Sequence, residues 1–178
     1  MRPDSVRLWP FVLGIFAVVA LLYGRTVLYG FLVFDDHTYI LQNPTIVAPG
    51  RARLLDLLFT PQMRYIIPMT VLPQALMFLI SDGAAWLFHA VNVVLHALCA
   101  VLVLRLSHRL GAGVLVAFGV ALLVAVHPIC AEPVSWATGL KDLLMATLAL
   151  AATECFVRIS SPDAQRRWAV LAVVLAVA

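Results

Sequence analysis

Two long stretches of the sequence contain no charged residue, and they constrain the fold more than any other feature. Residues 83–104 and residues 110–131 include no Asp, Glu, Lys or Arg. A membrane-spanning helix needs about 20 predominantly apolar residues, so each stretch is long enough to cross a bilayer. The chain is also 63% hydrophobic and only 12% charged, against about 45–50% and about 25% in soluble domains. The sequence therefore predicts an all-α integral membrane protein. It excludes a soluble globular domain, a disordered chain and a nucleic-acid-binding protein built on basic clusters.

The positions of the charged residues divide the chain into four complete spans and a fifth that is only begun. We place these spans, in order, at Leu8–Leu28, Ala85–Leu104, Val114–Val126, Ser135–Val157 and Trp168–Ala178. The last of them is about half a span long. We therefore expect the chain to be the N-terminal part of a longer, multi-pass helical bundle.

The positive residues predict the orientation of this bundle. Tyr65–Ser81 is apolar but contains two prolines, so it either spans the membrane or lies along its interface. With an interfacial segment and a cytoplasmic N-terminus, seven Lys or Arg residues lie on the cytoplasmic side and five outside. A spanning segment leaves three inside and nine outside. Because cytoplasmic loops are enriched in Lys and Arg, we predict the first arrangement, with a long outer loop over Tyr29–Gly83.

Two adjacent carboxylates, Asp35 and Asp36, lie near the start of this outer loop. Neighbouring like charges raise the pKa of one of the two groups. Such a carboxylate is suited to act as a general base or to bind a metal ion. The alternative is a solvated helix end that is followed by a turn at Asn43-Pro44.

Three polar residues of the second span, His89, Asn92 and His96, share one helix face. Polar groups are costly in hydrocarbon, so this face is expected to look towards protein or water. Interhelical hydrogen bonding is the structural interpretation, and it suits Asn92 and His96 best. His89 lies nearer the outer end and is the better candidate for a site.

A second outer junction carries His127 and Glu132 between prolines, and Lys141 and Asp142 follow it. The spacing of His127 and Glu132 does not match a helical metal-binding pair. The four residues indicate either a pocket for a charged substrate or a paired, structural helix start. Arg64, in the outer loop, is suited to bind a phosphate or, non-specifically, a lipid headgroup.

Five motifs occur in order between Phe31 and Leu150. They are F-x-x-x-D-D-x-x-Y-I-x-x-N-P, x-I-P-x-T, F-H-x-x-N-x-x-x-H-A, H-P-x-x-x-E-x-V-x-W and K-D-L-L. Together they resemble the membrane region of the transmembrane-and-tetratricopeptide-repeat proteins, relatives of the protein O-mannosyltransferases in the GT-C glycosyltransferase superfamily. The resemblance implies a GT-C-type helical bundle followed by tetratricopeptide repeats. It also implies transfer of a sugar, such as mannose, from a polyprenyl-phosphate donor to a hydroxyl of a protein or glycan acceptor at the outer face.

The resemblance also implies roles for individual residues. Asp35 with the following acid and Tyr39 is similar to the Asp-Glu-x-x-Tyr arrangement of related transferases. This makes Asp35 the catalytic base and Asp36 its catalytic neighbour, with the donor phosphate held by Arg64 or Lys141. The candidate substrate-binding residues are Arg64, His89, His127, Glu132, Lys141 and Asp142. No cofactor beyond the lipid-phosphate sugar is implied, and a need for a divalent metal is left open.

Two other functions remain open from the residues. Inward-facing polar groups are also typical of a transporter, and a non-catalytic membrane scaffold needs no site at all. A fragment without the later spans is expected to lack part of the donor site and to be inactive alone. The motifs favour a bacterial inner membrane over the endoplasmic reticulum.

Overall fold

The computed structural model describes residues 7–48, residues 67–159 and residue 175, and every regular element in these ranges is helical. The α-helices are α1 (Trp9–Tyr23), α2 (Pro44–Val47), α3 (Pro68–Ile80), α4 (Trp86–Arg109), α5 (Val114–Val126), α6 (Ala131–Ser135) and α7 (Leu140–Ile159). Short 3₁₀ helices cover Gly24–Leu28, Pro128–Cys130 and Ala137–Gly139, and a π-helical turn covers His37–Leu41. The predicted phosphate ligand Arg64 and most of the incomplete span Trp168–Ala178 lie outside the described residues.

Within residues 7–48 and 67–159, two helices are long and apolar enough to cross a membrane, which fits the predicted all-α integral membrane protein. They are α4 and the segment Trp9–Leu28, in which a 3₁₀ turn extends α1. A third candidate consists of α5 and Pro128–Ser135, which are bent by 49° relative to each other. Helix α7 is also 20 residues long, but charged residues near both of its ends exclude it from these candidate membrane-spanning helices. The count of four complete spans therefore stays a prediction.

The start of α7 differs from the predicted span Ser135–Val157. The backbone of Trp136 is extended, with ψ 136°, and a 3₁₀ turn follows over Ala137–Gly139 before α7 begins at Leu140. The prediction was wrong here because hydropathy alone does not detect a break inside an apolar stretch. This break brings backbone groups of Trp136 and Thr138 to the outer end of the bundle, where they bind side chains of other elements.

Helix α4 lies at the centre of the bundle and packs against α1, α5 and α7. The packing surface of α5 is distinguished by side-chain size and not by polarity. Ala117, Ala121 and Ala125 are fully buried, whereas Leu115 and Leu123 are exposed. Small residues at a spacing of four allow helices to approach closely in a membrane, where the lipid is as apolar as leucine. The large side chains are thus left for the lipid.

Helix α3 connects to α4 through a tight turn and packs mainly against α2 and α7. In the turn, Asp82 and Gly83 have φ angles of 53° and 77°, and the Gly83 N–H donates to the Phe78 carbonyl at 2.9 Å. The 13 residues of α3 span about 20 Å, less than the roughly 30 Å hydrocarbon core. This length is compatible with the predicted interfacial position. An apolar cluster that includes Ile40, Ile46 and Phe88 joins the outer loop to α3 and α4.

Candidate functional site

Asp36 connects the outer loop to the start of α7 and is fully buried. Its Oδ1 atom accepts hydrogen bonds from both the backbone N–H and the side-chain hydroxyl of Thr138, each at 2.9 Å. Its Oδ2 atom accepts from the backbone N–H of Leu32 at 3.0 Å. Three donors compensate the cost of burying this carboxylate, because a buried charge needs hydrogen-bond partners. Asp36 thus fixes the outer loop over the helix that carries Lys141.

Asp35 has a different environment from its neighbour. Its side chain is half-buried, and within the described residues it makes no hydrogen bond or ion pair. The chain is held in place directly after Asp35, because the side chain of Asp36 is hydrogen-bonded to Thr138. The two adjacent carboxylates therefore separate into one that is fully engaged by the protein and one that is free to meet a ligand.

Tyr39 and Lys141 form a second contact between the outer loop and α7. The Lys141 ammonium nitrogen lies 6.0 Å from the centroid of the Tyr39 ring, within the range of a cation–π interaction. Lys141 and Asp142 are exposed in the first turn of α7. The structure thus brings the outer-loop acids and the α7 charges to the same end of the bundle.

A groove of about 650 Å³ runs from Lys141 and Asp142 along one side of α7. Its opposite wall is formed by the start of α3, at 67–70. Below the two charged residues the α7 wall is mostly apolar and consists of Leu144, Met145, Leu148, Ala149, Ala152 and Thr153. From Lys141 to Ala152 the wall is about 17 Å long at 1.5 Å per residue. A charged mouth above a long apolar wall suits an amphipathic molecule.

The polar face of α4 is buried, as the sequence predicted. The Asn92 amide donates to the Trp136 carbonyl at 2.6 Å and to the Pro133 carbonyl at 3.4 Å. His96 Nε2 lies 3.1 Å from the Ala125 carbonyl at the end of α5. That carbonyl has lost its ordinary helical partner, since the Ile129 N–H donates to His127 Nδ1 at 3.2 Å. Asn92 and His96 therefore satisfy backbone groups that the breaks after α5 and α6 expose.

His89 is fully buried and does not reach the surface. Its ring meets the Tyr29 ring edge-on, with 6.4 Å between the centroids. The Gly30 carbonyl and the Asp36 carboxylate lie near the ring, but neither ring nitrogen has a hydrogen-bond partner within the described residues. His89 therefore packs against the start of the outer loop from within the bundle and does not line the groove.

His127 and Glu132 lie on the junction between α5 and α7, and both are exposed. His127 caps its own 3₁₀ turn through the bond from the Ile129 N–H. Glu132 lies in the first turn of α6, where a negative side chain is favoured by the helix dipole. Neither residue lines the groove beside Lys141. In the ranges 7–48 and 67–159, no group of three or more His, Cys, Asp or Glu residues could hold a metal ion.

Sequence reasoning missed Thr138 and the need for glycine at position 139. Thr138 supplies two of the three hydrogen bonds to Asp36. A Cβ atom at Gly139 would clash with the Pro133 carbonyl oxygen, so only glycine fits there. A single sequence contains no signal that pairs Thr138 with a residue 102 positions earlier. The Thr-Gly pair before Lys141-Asp142 could have marked a close backbone approach.

The chain is similar to curated protein O-mannosyl-transferases of animals. It is 33% identical over 162 residues to mouse TMTC3, which covers 86% of this chain and 17% of that protein. Human TMTC1 is 35% identical over 144 residues, or 74% of this chain and 16% of that protein. Drosophila Tmtc2 is 40% identical over 77 residues, or 43% of this chain and 8% of that protein. No family model matches the chain, and no solved structure matches it significantly.

These relatives confirm the resemblance that the five motifs indicated: the chain is homologous to a part of the TMTC proteins. It spans about a sixth of the length of the mouse and human relatives. All of these relatives come from mouse, human and Drosophila. They give no support to the expectation of a bacterial inner membrane.

Proposed function

We propose that this chain is part of a GT-C-type membrane glycosyltransferase that transfers a sugar, such as mannose, from a polyprenyl-phosphate donor to a hydroxyl of a protein. The names of the relatives support the reaction, since each is called a protein O-mannosyl-transferase. The observation that carries the proposal is the groove with Lys141 at its mouth, next to the outer-loop acids. We place this site on the non-cytoplasmic face, with the N-terminus in the cytoplasm and α7 as a further span.

The groove suits a lipid-phosphate sugar because its two parts match the two parts of that molecule. Leu144, Met145 and Leu148 offer an apolar surface to a polyprenyl chain. Lys141 offers a positive charge to the phosphate at the groove mouth. Stabilisation of the leaving phosphate by a preorganised cation lowers the barrier to sugar transfer.

In this mechanism Asp35 deprotonates the acceptor hydroxyl, whose oxygen attacks the anomeric carbon of the donor. The bond between that carbon and the phosphate oxygen breaks, and the lipid phosphate leaves with the electron pair beside Lys141. Asp36 takes no part in proton transfer, because its two oxygens already accept three hydrogen bonds. It is a positioning residue that holds Asp35 and Tyr39 over the start of α7.

The buried polar face of α4 favours this function over the transporter alternative. A polar path needs side chains that face water, but Asn92 and His96 are bonded to backbone carbonyls of neighbouring elements. Neither residue lines the groove along α7 or the smaller cleft at 28–32 and 135–136. These side chains thus serve helix packing.

The Asp35→Asn variant tests the proposed base. We expect mannosyl transfer to fall at least about 100-fold, because general base catalysis contributes about 10²–10⁴-fold. Thermal stability should not change, since Asp35 makes no hydrogen bond within the described part of the chain. The measurement is transfer from radiolabelled dolichyl-phosphate mannose by the full-length protein in membranes.

Asp82→Asn is the matched control for this experiment. Asp82 is another outer-loop acid, it is exposed, and its φ of 53° suits asparagine. We expect this variant to keep full activity. Full activity in Asp35→Asn as well would reject Asp35 as the base.

The Lys141→Gln variant tests the proposed phosphate contact. Hydrogen bonds to charged groups contribute about 1.5–3 kcal/mol, so we expect the KM for the lipid donor to rise about ten-fold or more. Lys141→Arg should restore most of this affinity, because it restores the charge. If Lys141→Gln and the unmodified protein have equal KM values for the donor, the donor phosphate does not bind at this end of the groove.

A further inference from the structure

Three arginines surround a single carboxylate at the end of the bundle opposite the outer-loop acids. Arg105 and Arg109 lie near the end of α4, and Glu154 and Arg158 lie near the end of α7. All three guanidinium groups contact the same atom, Glu154 Oε1, at 2.9–3.3 Å. We call these four residues the arginine cluster. Because Glu154 is only 4% exposed, the cluster joins the two helices around a buried acid.

The arginine cluster has more positive than negative charge. Three arginines and one glutamate leave two positive charges in excess. The ends of α4 and α7 offset part of this excess, since a helix C-terminus acts as about half a negative charge. The four side chains of the arginine cluster therefore carry a net positive charge among themselves.

The cluster also has unused hydrogen-bond donors. A guanidinium group has five N–H donors, yet within residues 7–48 and 67–159, Arg105 and Arg109 bond to Glu154 and to no other group. Their side chains are 40% and 41% exposed. A second acceptor can thus approach these two arginines without breaking the contact with Glu154.

The position of the cluster indicates the source of that acceptor. The 24 residues of α4 extend about 36 Å, more than the roughly 30 Å hydrocarbon core. The last turns of α4 thus reach the headgroup region. By the positive-inside rule, the end of the bundle that carries these arginines is the cytoplasmic one. The cytoplasmic leaflet is rich in anionic phospholipid, which attracts basic residues near the surface.

We propose that the arginine cluster binds the phosphate of an anionic phospholipid headgroup at the cytoplasmic boundary. Arg105 and Arg109 donate to the phosphate oxygens, because arginine matches phosphate geometry with parallel N–H bonds. Arg158 remains on Glu154 as an i,i+4 pair. The site is separate from the groove of the proposed glycosyl transfer, so its test does not depend on activity.

The test uses the full-length protein in phosphatidylcholine nanodiscs that contain a minor fraction of phosphatidylglycerol. Native mass spectrometry measures how much phosphatidylglycerol is retained relative to phosphatidylcholine. In the Arg105→Gln/Arg109→Gln double variant, Arg158 and Glu154 stay paired as one positive and one negative group. We expect this variant to lose selectivity for phosphatidylglycerol by at least about five-fold, on the scale of one or two surface arginines. Unchanged selectivity in a folded double variant would overturn the proposal.

Two further variants separate lipid binding from a purely structural ion pair. Arg25→Gln removes an exposed arginine at the opposite end and should leave the selectivity unchanged. Glu154→Gln removes the negative charge, so selectivity should stay equal or increase even though thermal stability falls. A loss of selectivity in Glu154→Gln would contradict the proposal.

An inorganic phosphate titration at constant ionic strength identifies the source of the bound phosphate group. If the site takes a lipid headgroup, inorganic phosphate does not displace phosphatidylglycerol. Displacement at millimolar phosphate would assign the cluster to a soluble phosphate and overturn the lipid assignment.

Discussion

The Gly139→Ala variant is expected to destabilise the outer end of the bundle by about 3 kcal/mol or more, the upper end of the cost of overpacking. The added Cβ would clash with the Pro133 carbonyl oxygen and would lie 2.7 Å from both the carbonyl carbon and the Cα of Pro133. All three are backbone atoms, so no side-chain rotation relieves the contact. Moving Pro133 away would also disturb its hydrogen bond from Asn92. The measurement is the Tm of the full-length protein in detergent by fluorescence-detected size exclusion.

Gly119→Ala is the matched control for this substitution. Gly119 lies inside α5, and no atom would come within 4 Å of an added Cβ. Alanine is favoured over glycine in a helix by about 0.8–1 kcal/mol, so we expect an unchanged or slightly raised Tm. A Gly139→Ala protein as stable as Gly119→Ala would show that the 3₁₀ turn does not approach Pro133 as described.

The Asp36→Ala variant is expected to have the second large effect, a loss of about 3–5 kcal/mol of folding free energy. It leaves the hydroxyl and N–H of Thr138 and the N–H of Leu32 without their acceptor. Each buried donor without a partner costs about 1–3 kcal/mol. Activity should be lost together with the fold, and the Tm reports the loss directly.

The adjacent acid gives a sharp comparison for Asp36. Asp35→Ala should lose activity but keep its Tm, whereas Asp36→Ala should lose both. Thr138→Val, which removes only the hydroxyl donor, should cost about 1–2 kcal/mol. The double variant should show coupling, since both substitutions act on one hydrogen-bond network. A stable Asp36→Ala protein beside an unstable Asp35→Ala protein would reverse the two roles.

The sequence predicted the broad organisation well because that organisation depends on long, uncharged stretches. The observed α5, Val114–Val126, coincides with the predicted span, and α4 begins one residue after the predicted start at Ala85. α4 continues past the predicted end at Leu104 to Arg109. Hydropathy treats Arg105 as the end of a span, but the pairing of Arg105 and Arg109 with Glu154 supports the extra turn.

The details of the site were less accessible, because they depend on contacts between distant segments. The sequence pointed to both Asp35 and Asp36 but contained nothing to show which one is buried. Asp36 differs from Asp35 because Thr138 donates hydrogen bonds to it. Thr138 is in position to do so because the helix breaks at Trp136. The start of α7 was misplaced for the same reason, since Ser135–Gly139 is apolar enough to continue a helix. Motifs therefore pointed to the candidate residues, and tertiary hydrogen bonds distinguish their environments.

The separation of 102 positions between Asp36 and Thr138 has a consequence for how the protein is made. At about 5–20 residues per second, the ribosome adds Thr138 about 5–20 s after Asp36. During that interval the outer loop has been translated but Asp36 lacks its two hydrogen bonds from Thr138, while α4 and α5 are still being synthesised. The outer loop cannot reach its final conformation until the residues that precede α7 have been synthesised. Completion of this end of the bundle is thereby linked to synthesis of the preceding helices, and a chain arrested earlier would lack two of the three hydrogen bonds to Asp36.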